Sequence, residues 1–363
     1  GGEGREPQMS INRDFANLAR SSQPGKNMIT NGAMTVNQRG STTATVNTEN
    51  LDRFGSTLYD AGTPAVATVT KDSDSPTGFG SSMKFDVTTI ATGGGDYNAT
   101  RQRIEAQNLQ HLKYGTADAL TCTFSFWFKT TITGIYSVYF LHDDASGTLT
   151  YVREFTVAES NTWEFFQLTL PGNTDEAFDN DTGTGLEIGI VLASDSGTAS
   201  SNNVWQAGGD TGGSVNQVNG LSSTSNNIYT TGWQFEVGSV ATDFEHEDYG
   251  TTLQKCQRYY EKRTWADAAD IIGHGASTWA STSACAVFLQ QEMRTSPTIT
   301  LNTASTYRFI DQTNSATAGS SNSAGAITPT TFVLNLGHGS DPTRGAGYHT
   351  AVSSTFFEAS AEL

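Results

Sequence analysis

The sequence predicts an all-β chain: a β-sandwich or jelly roll, then a smaller C-terminal β-domain, with one short helix linking them. Three observations carry this. Many strand-length runs alternate apolar and polar residues, and turns rich in Gly, Asn, Asp and Ser divide them. Charged residues make up only 16% of the chain, against about 25% in ordinary globular domains. Ser, Thr, Asn, Gln and Gly fill the polar share, which suits strands and turns better than long solvated helices. Helical spacing of apolar residues is confined to two short stretches.

The elements follow in order. Residues 1–25 are polar, and Phe15, Leu18 and Ala19 fit one or two helical turns inside a connecting arm. Residues 26–250 form the sandwich. Its clearest strand is Leu120–Lys129, where Cys122, Phe124, Phe126 and Phe128 share one face. Thr121, Thr123, Ser125, Trp127 and Lys129 take the other, the period of two that makes a half-buried strand. Further strands read at Ser82–Val87, Ile135–Leu141, Tyr151–Val157, Trp163–Leu170, Leu186–Ala193 and Ile228–Val237. In the last, Tyr229, Thr231, Trp233, Phe235 and Val237 line one face. Ser194–Asn227 reads as a long Gly-rich loop anchored by Trp205 and Gln206. At Thr251–Arg263 the period changes: Leu253, Cys256 and Tyr260 fall on one helical face. Residues 251–363 then carry strands near Ala284–Gln291, Thr298–Leu301, Thr331–Leu336 and Thr355–Leu363. A low-complexity loop, Thr313–Ala326, lies among them. The closing alternation ties the C-terminus into a sheet.

Composition excludes several functions. Lys+Arg is 20 against Asp+Glu 37, a net charge of −17. Tracking a phosphate backbone rests on Lys and Arg, so nucleic-acid binding is not expected. Docking on an anionic membrane is disfavoured for the same reason, and no window nears the roughly 18 apolar residues of a transmembrane span. The opening Gly1-Gly2-Glu3-Gly4-Arg5 does not read as a signal peptide. Three cysteines, Cys122, Cys256 and Cys285, share no metal-type spacing and read as small buried hydrophobes. The six histidines are scattered, without His-x-His or His-Glu-x-x-His. No nucleophile elbow, P-loop or strand-linked dinucleotide fingerprint occurs.

Three segments resemble bacteriophage virion proteins of the tail-fibre type. The first is Asn27-Met28-Ile29-Thr30-Asn31-Gly32-Ala33-Met34, with Gln38-Arg39-Gly40 and Leu51-Asp52-Arg53-Phe54. The second is Phe124-Ser125-Phe126-Trp127-Phe128-Lys129. The third runs Gly232-Trp233-Gln234-Phe235-Glu236-Val237-Gly238-Ser239, Ala241-Thr242-Asp243-Phe244-Glu245-His246, Tyr249-Gly250 and Cys256-Gln257-Arg258-Tyr259-Tyr260. The resemblance covers about residues 12–263, and Met293–Thr298 with Ala359–Leu363 resembles the family's C-terminal unit. It implies a jelly roll similar to carbohydrate-binding modules in a trimeric virion appendage, at the tail or the capsid surface. Trp233 departs from the smaller β-branched residue frequent in the family, and either enlarges or fills a local pocket.

The expected function is therefore a non-enzymatic virion structural protein that attaches to host-surface glycan. Residues 1–25 would dock on other virion proteins. The competitors are a capsid-decorating or head-fibre protein and a tailspike-like glycan hydrolase. Sugar binding needs aromatic faces plus amide, Arg and carboxylate groups. Trp127 is the first candidate, as a stacking ring or as a ring packed on a loop or neighbouring subunit. Arg101, Arg103 and Glu105 share one strand face, either as sugar-binding groups or as a cross-strand ion-pair ladder. Trp205 either folds over a site or plugs the sandwich edge. No cofactor is expected beyond a structural Ca²⁺, for which Asp179-x-Asp181-x-Gly183 resembles a fragment of a calcium loop. Solvated turn carboxylates are the plainer reading of the same residues. A homotrimer is expected, with Trp127 and Tyr259 as exposed aromatics at an interface.

Overall fold

A computed structural model describes residues 25–44, 48–59, 66–90, 97–144, 147–194, 203–208, 213–264, 271–279, 281–310, 316–338, 346–351 and 355–363. The expected arm lies outside them except for Gly25. The chain divides into two compact units, 1–249 and 250–363.

The first unit is a jelly-roll sandwich of two antiparallel sheets. One sheet has the order β1 (Thr42–Ala44), β4 (Val66–Asp72), β5 (Ser82–Thr89), β13 (Asn227–Val237), β7 (Cys122–Thr130) and β10 (Glu164–Leu170). The other runs β12 (Gln206–Ala207), β9 (Gly147–Val157), β8 (Gly134–Asp144), β11 (Thr184–Ser194), β6 (Tyr97–Glu105), β3 (Phe54–Tyr59) and β2 (Thr48–Leu51). Alternation in β7 turns Cys122, Phe124, Phe126 and Phe128 into the core, each fully buried. Burying one such ring contributes about 1.5–3 kcal/mol. Phe126 meets Phe155 across the sandwich at 5.1 Å, and Phe166 of β10 lies opposite it in register.

The expected face of β13 is broken. Thr231 pairs Trp127, yet Gln234 pairs Ser125, so β13 carries one extra residue. The bulge sits on Gly232, at φ 68°, a left-handed backbone that glycine adopts without a Cβ penalty. It switches the parity: Tyr229 faces outward, while Trp233 and Phe235 join the core. Trp233 fills its pocket, edge-on to Phe54 and Phe124 at 5.1 Å each. Its Nε1 donates to Thr230 Oγ1 at 2.7 Å. A Cβ on Gly32 would lie 2.1 Å from the Trp233 carbonyl oxygen, so the first and third motif segments meet through a glycine. Asn27 reinforces the junction by donating to that carbonyl at 3.0 Å.

Strands β8 and β11 are buried along nearly their whole length. Their second face is covered too, in a small cluster of Tyr97, Ala99, Tyr139, Leu141, Val152 and Val191.

The second unit pairs β14 (Tyr260–Thr264), β23 (Thr355–Ser360) and β17 (Thr298–Leu301) in one sheet. Its other sheet runs β19 (Ala316–Ala318), β18 (Tyr307–Ile310), β22 (Ala346–Ala351), β15 (Ile271–Trp279), β16 (Thr282–Phe288), β21 (Thr331–Gly337) and β20 (Ser321–Gly325). β19 and β20 fall inside the expected low-complexity loop: their short side chains hide both strands, although Ala324 packs against the core. The helix α1 (Tyr249–Gln257) ends earlier than its spacing suggests, because Tyr260 opens β14. Tyr259, expected at an interface, is buried. All three cysteines are buried thiols outside any disulfide, and burial pushes the Cys122 and Cys285 thiols up to about 12. Among the described residues, no helix is long and apolar enough to cross a membrane.

Candidate functional site

The outer face of the first sheet carries two rungs of aromatic side chains. The first rung follows the register Tyr229 opposite Lys129 and Lys84. Lys129 Nζ stands 4.8 Å from the Tyr229 ring centre and 5.6 Å from that of Trp163. Asp74 locks this rung: its carboxylate accepts Lys129 Nζ at 2.5 Å and Trp163 Nε1 at 3.0 Å. The Lys129 hydrogen bond, against the opposing effect of burial, holds the Asp74 carboxyl below its ordinary value, with Trp163 helping. Trp163 thus belongs to the outer face, just before β10, and does not start a core strand.

The second rung pairs Phe165 and Trp127 directly across β10 and β7, ring centres 5.4 Å apart. Phe165 is 47% exposed, an unusual cost for a large apolar ring on a sheet. The rung continues over the Gly232 bulge. A Cβ there would lie 2.8 Å from Phe79 Cζ and 3.0 Å from Trp127 Cδ1, so the glycine lets both rings settle on the backbone. Phe79 then meets Phe244 at 4.9 Å and His246 at 5.2 Å. Gln167, Lys84 and Asp86 flank the rings with polar groups. Such a face can stack on the apolar faces of sugar rings while its fringe hydrogen-bonds hydroxyls.

Of the residues singled out in sequence, Trp127 alone sits here. Arg101, Arg103 and Glu105 lie on β6, in the other sheet, so they cannot share a surface with Trp127 as neighbouring strands would. Arg101 is 3% exposed, and Glu105 is fully buried. Glu187 lies 3.6 Å from Arg101 and accepts Arg103 Nε at 2.6 Å; Glu49 lies 3.5 Å from Arg101. Tyr139 donates to Glu187 at 2.5 Å. Burial opposes the Arg101 charge, but Glu187 and Glu49 outweigh it and raise the guanidinium above its ordinary value. This is the ion-pair ladder, buried. Trp205 plugs the sandwich edge: it packs against the core, 5.3 Å from Tyr151, and its Nε1 donates to the Pro171 carbonyl at 3.0 Å.

Asp179 meets Asp144. The hydrogen bond between the two carboxyls, then the Asp144 charge, raises Asp179. Asp181 turns its carboxylate to its own loop, accepting Gly183 N at 2.8 Å. Among the described residues, no three His, Cys, Asp or Glu side chains group to hold a metal ion.

Phe165, Tyr229 and Phe79 were not singled out by sequence reasoning, and Trp163 was read as the start of a core strand. Phe165 was within reach: in Trp163–Leu170 it shares parity with Gln167 and Thr169, opposite Leu168 and Leu170.

No family model and no curated protein matches the chain. Solved structures are similar at low identity. The enzymatically active domain of tailspike protein 4 from bacteriophage CBA120 is 15% identical with a TM-score of 0.32, over 60% of this chain. The match spans only 22% of that tailspike chain. A putative sugar-binding protein from Bacteroides thetaiotaomicron is 10% identical with a TM-score of 0.33, over 58% of this chain and 100% of its own. A family 11 carbohydrate-binding module of a Clostridium thermocellum cellulase is 13% identical with a TM-score of 0.27, over 56% and 98%.

Proposed function

We propose that the chain is a non-enzymatic glycan-binding component of a virion appendage, which holds host-surface polysaccharide on the aromatic face of its jelly roll. The observation that carries the binding half is the Phe165–Trp127 rung, left half-open to solvent beside the Tyr229–Lys129–Trp163 rung. The virion half is supported by the three motif segments that resemble phage proteins. A trimer at the tail or capsid surface, docked through residues 1–25, completes the reading. One stacked ring contributes about 0.5–1.5 kcal/mol, so a single site is weak and a trimer gains by avidity.

A glycan hydrolase is the competing reading, and the raised Asp179 beside Asp144 is what favours it. Hydrolysis of this kind needs two carboxyl groups about 5–9 Å apart across the bond. Asp144 instead accepts the Asp179 backbone N–H at 2.7 Å, and the two carboxyls interact directly, which supports a loop contact over a pair that flanks a substrate.

The test is incubation with purified host-envelope polysaccharide, following binding and new reducing ends together. Retention without cleavage, weakened about three- to tenfold by Trp127→Ala or Phe165→Ala, is the expected result. Release of oligosaccharide would favour the hydrolase. Native mass spectrometry reads the trimer, and cryo-electron microscopy of intact particles reads its place.

A further inference from the structure

The loop from β4 to β5 also walls a second recess. It is lined by Asn37, Lys71, Asp72, Ser73, Gly80 and Tyr249, among others, around a cavity of about 510 Å³. Small-molecule sites fall at roughly 300–1,000 Å³. Sequence reasoning did not single out this recess, and none of its lining residues belongs to the aromatic rungs. It adjoins them through two peptide bonds: Ser73 precedes Asp74, and Gly80 follows Phe79.

Its chemistry is that of a polyol site. Tyr249 is 58% exposed and offers a ring face. The polar groups are fixed by bonds that use part of their capacity. Lys71 Nζ donates to the Thr35 carbonyl at 2.5 Å. Asp72 Oδ1 accepts Asp74 N at 2.8 Å. Asn37 Oδ1 accepts Gly40 N at 3.0 Å. An ammonium has three donors, a carboxylate about four acceptor positions and an amide two donors, so each group has capacity for a ligand. Lys71 and Asp72 cancel in charge, and the chain as a whole carries −17, which repels anions.

We propose that this recess binds a single neutral pyranose, as a second glycan site distinct from the aromatic rungs. The sugar ring stacks on Tyr249, and its hydroxyls bond Asp72, Lys71 and Asn37. The rungs hold the length of a chain, and the recess holds one residue of it. Two weak sites on one unit then bind a branched or folded-back polysaccharide together.

The test is an NMR titration of the full chain with methyl glycosides of glucose, galactose and mannose, with N-acetylglucosamine, and with glucuronate as the charged control. At least one neutral sugar should shift the Ser73 and Gly80 amides saturably in the millimolar range. Gly80→Leu is the decisive variant. A Cβ at Gly80 meets nothing within 4 Å, so the side chain narrows the recess with the fold intact. It should weaken that sugar at least tenfold. Asp72→Asn keeps the oxygen that accepts Asp74 N and should weaken it about threefold or more. Shifts absent for every neutral sugar, preference for glucuronate, or indifference to Gly80→Leu would each overturn the recess. If polysaccharide still binds through Trp127 in that case, the aromatic face stands and only the recess falls.

Discussion

The two outer faces of the sandwich obey the same alternation and end in opposite states. On the second sheet, Arg101, Glu187 and Tyr139 are buried, although two of them are charged. On the first sheet, Phe165 stands in solvent, although it is a large apolar ring. Residue type therefore decides neither state. Alternation assigns a side chain to a side of the sheet; what lies over that side decides its exposure. The charged face is made tolerable by pairing, since a buried ion is costly unless its partners are present. Two glycines make the pairing fit. A Cβ on Gly189 would lie 2.3 Å from the Tyr139 ring, and one on Gly55 would lie 2.8 Å from a Glu49 carboxylate oxygen. Both flank Arg101 in register. The aromatic face has the converse design, with one glycine, Gly232, seating rings that stay accessible.

This contrast predicts a large asymmetry on mutation. Glu187→Ala leaves Arg101 and Arg103 without their shared carboxylate and should cost about 3–5 kcal/mol. Chemical denaturation of the purified chain measures it. A cost below about 1 kcal/mol would mean that the face is wet and the ladder marginal. Gly189→Ala comes next. It drives a methyl group into Tyr139 in a packed layer, at about 1–3 kcal/mol. Unchanged stability there would show that Tyr139 can move aside, and with it the hydrogen bond to Glu187.

Trp127→Ala tests the other side. It should cost less stability than either, because the ring is only half-buried, yet it should weaken polysaccharide binding about three- to tenfold. Equal losses in both assays would make Trp127 a packing residue and remove it from the binding face.

Much of the fold was legible in the sequence where alternation is uninterrupted. Cys122–Phe128 reads as a strand with one buried face because each second residue is large and apolar. The same logic failed at Ile228–Val237, where one extra residue at Gly232 reverses the faces and no hydrophobic pattern marks it. It failed also at Ser321–Gly325, where Ala324 packs on the core but its small polar neighbours show no hydrophobic alternation. The site was half legible. Trp127 stood out on a Thr/Ser/Lys face, but its neighbours come from register with β10 and β13, which local sequence does not state. Alternation puts Arg101 and Arg103 together, and both meet Glu187, but the sheet that holds them was beyond reach. β6 and β7 are consecutive strands, yet the chain crosses from one sheet to the other between them.

The smallest effect expected is the most specific to the aromatic face. Asp74 joins Lys129 and Trp163, and the hydrogen bond from Lys129 is the main reason its carboxyl lies below the ordinary 3.8. A carboxyl whose folded value is depressed stabilises the fold above its unfolded value, and loses that contribution as the pH falls through the folded value. The contribution should thus be complete at neutral pH and vanish on acidification below about 3.8. Its size is limited by solvent, because the Asp74 side chain is 42% exposed. Screening leaves such a pair under about 1 kcal/mol. Asp74→Asn keeps an oxygen for the Trp163 indole and removes the charge that faces Lys129. Unfolding midpoints of the two proteins, compared from pH 7 downward, should differ slightly at neutral pH and converge in acid. A difference that grows in acid has the wrong sign for this pair. No difference at any pH would mean that the Tyr229 and Trp163 rings alone hold Lys129, and that Asp74 serves the rung only by accepting the indole N–H.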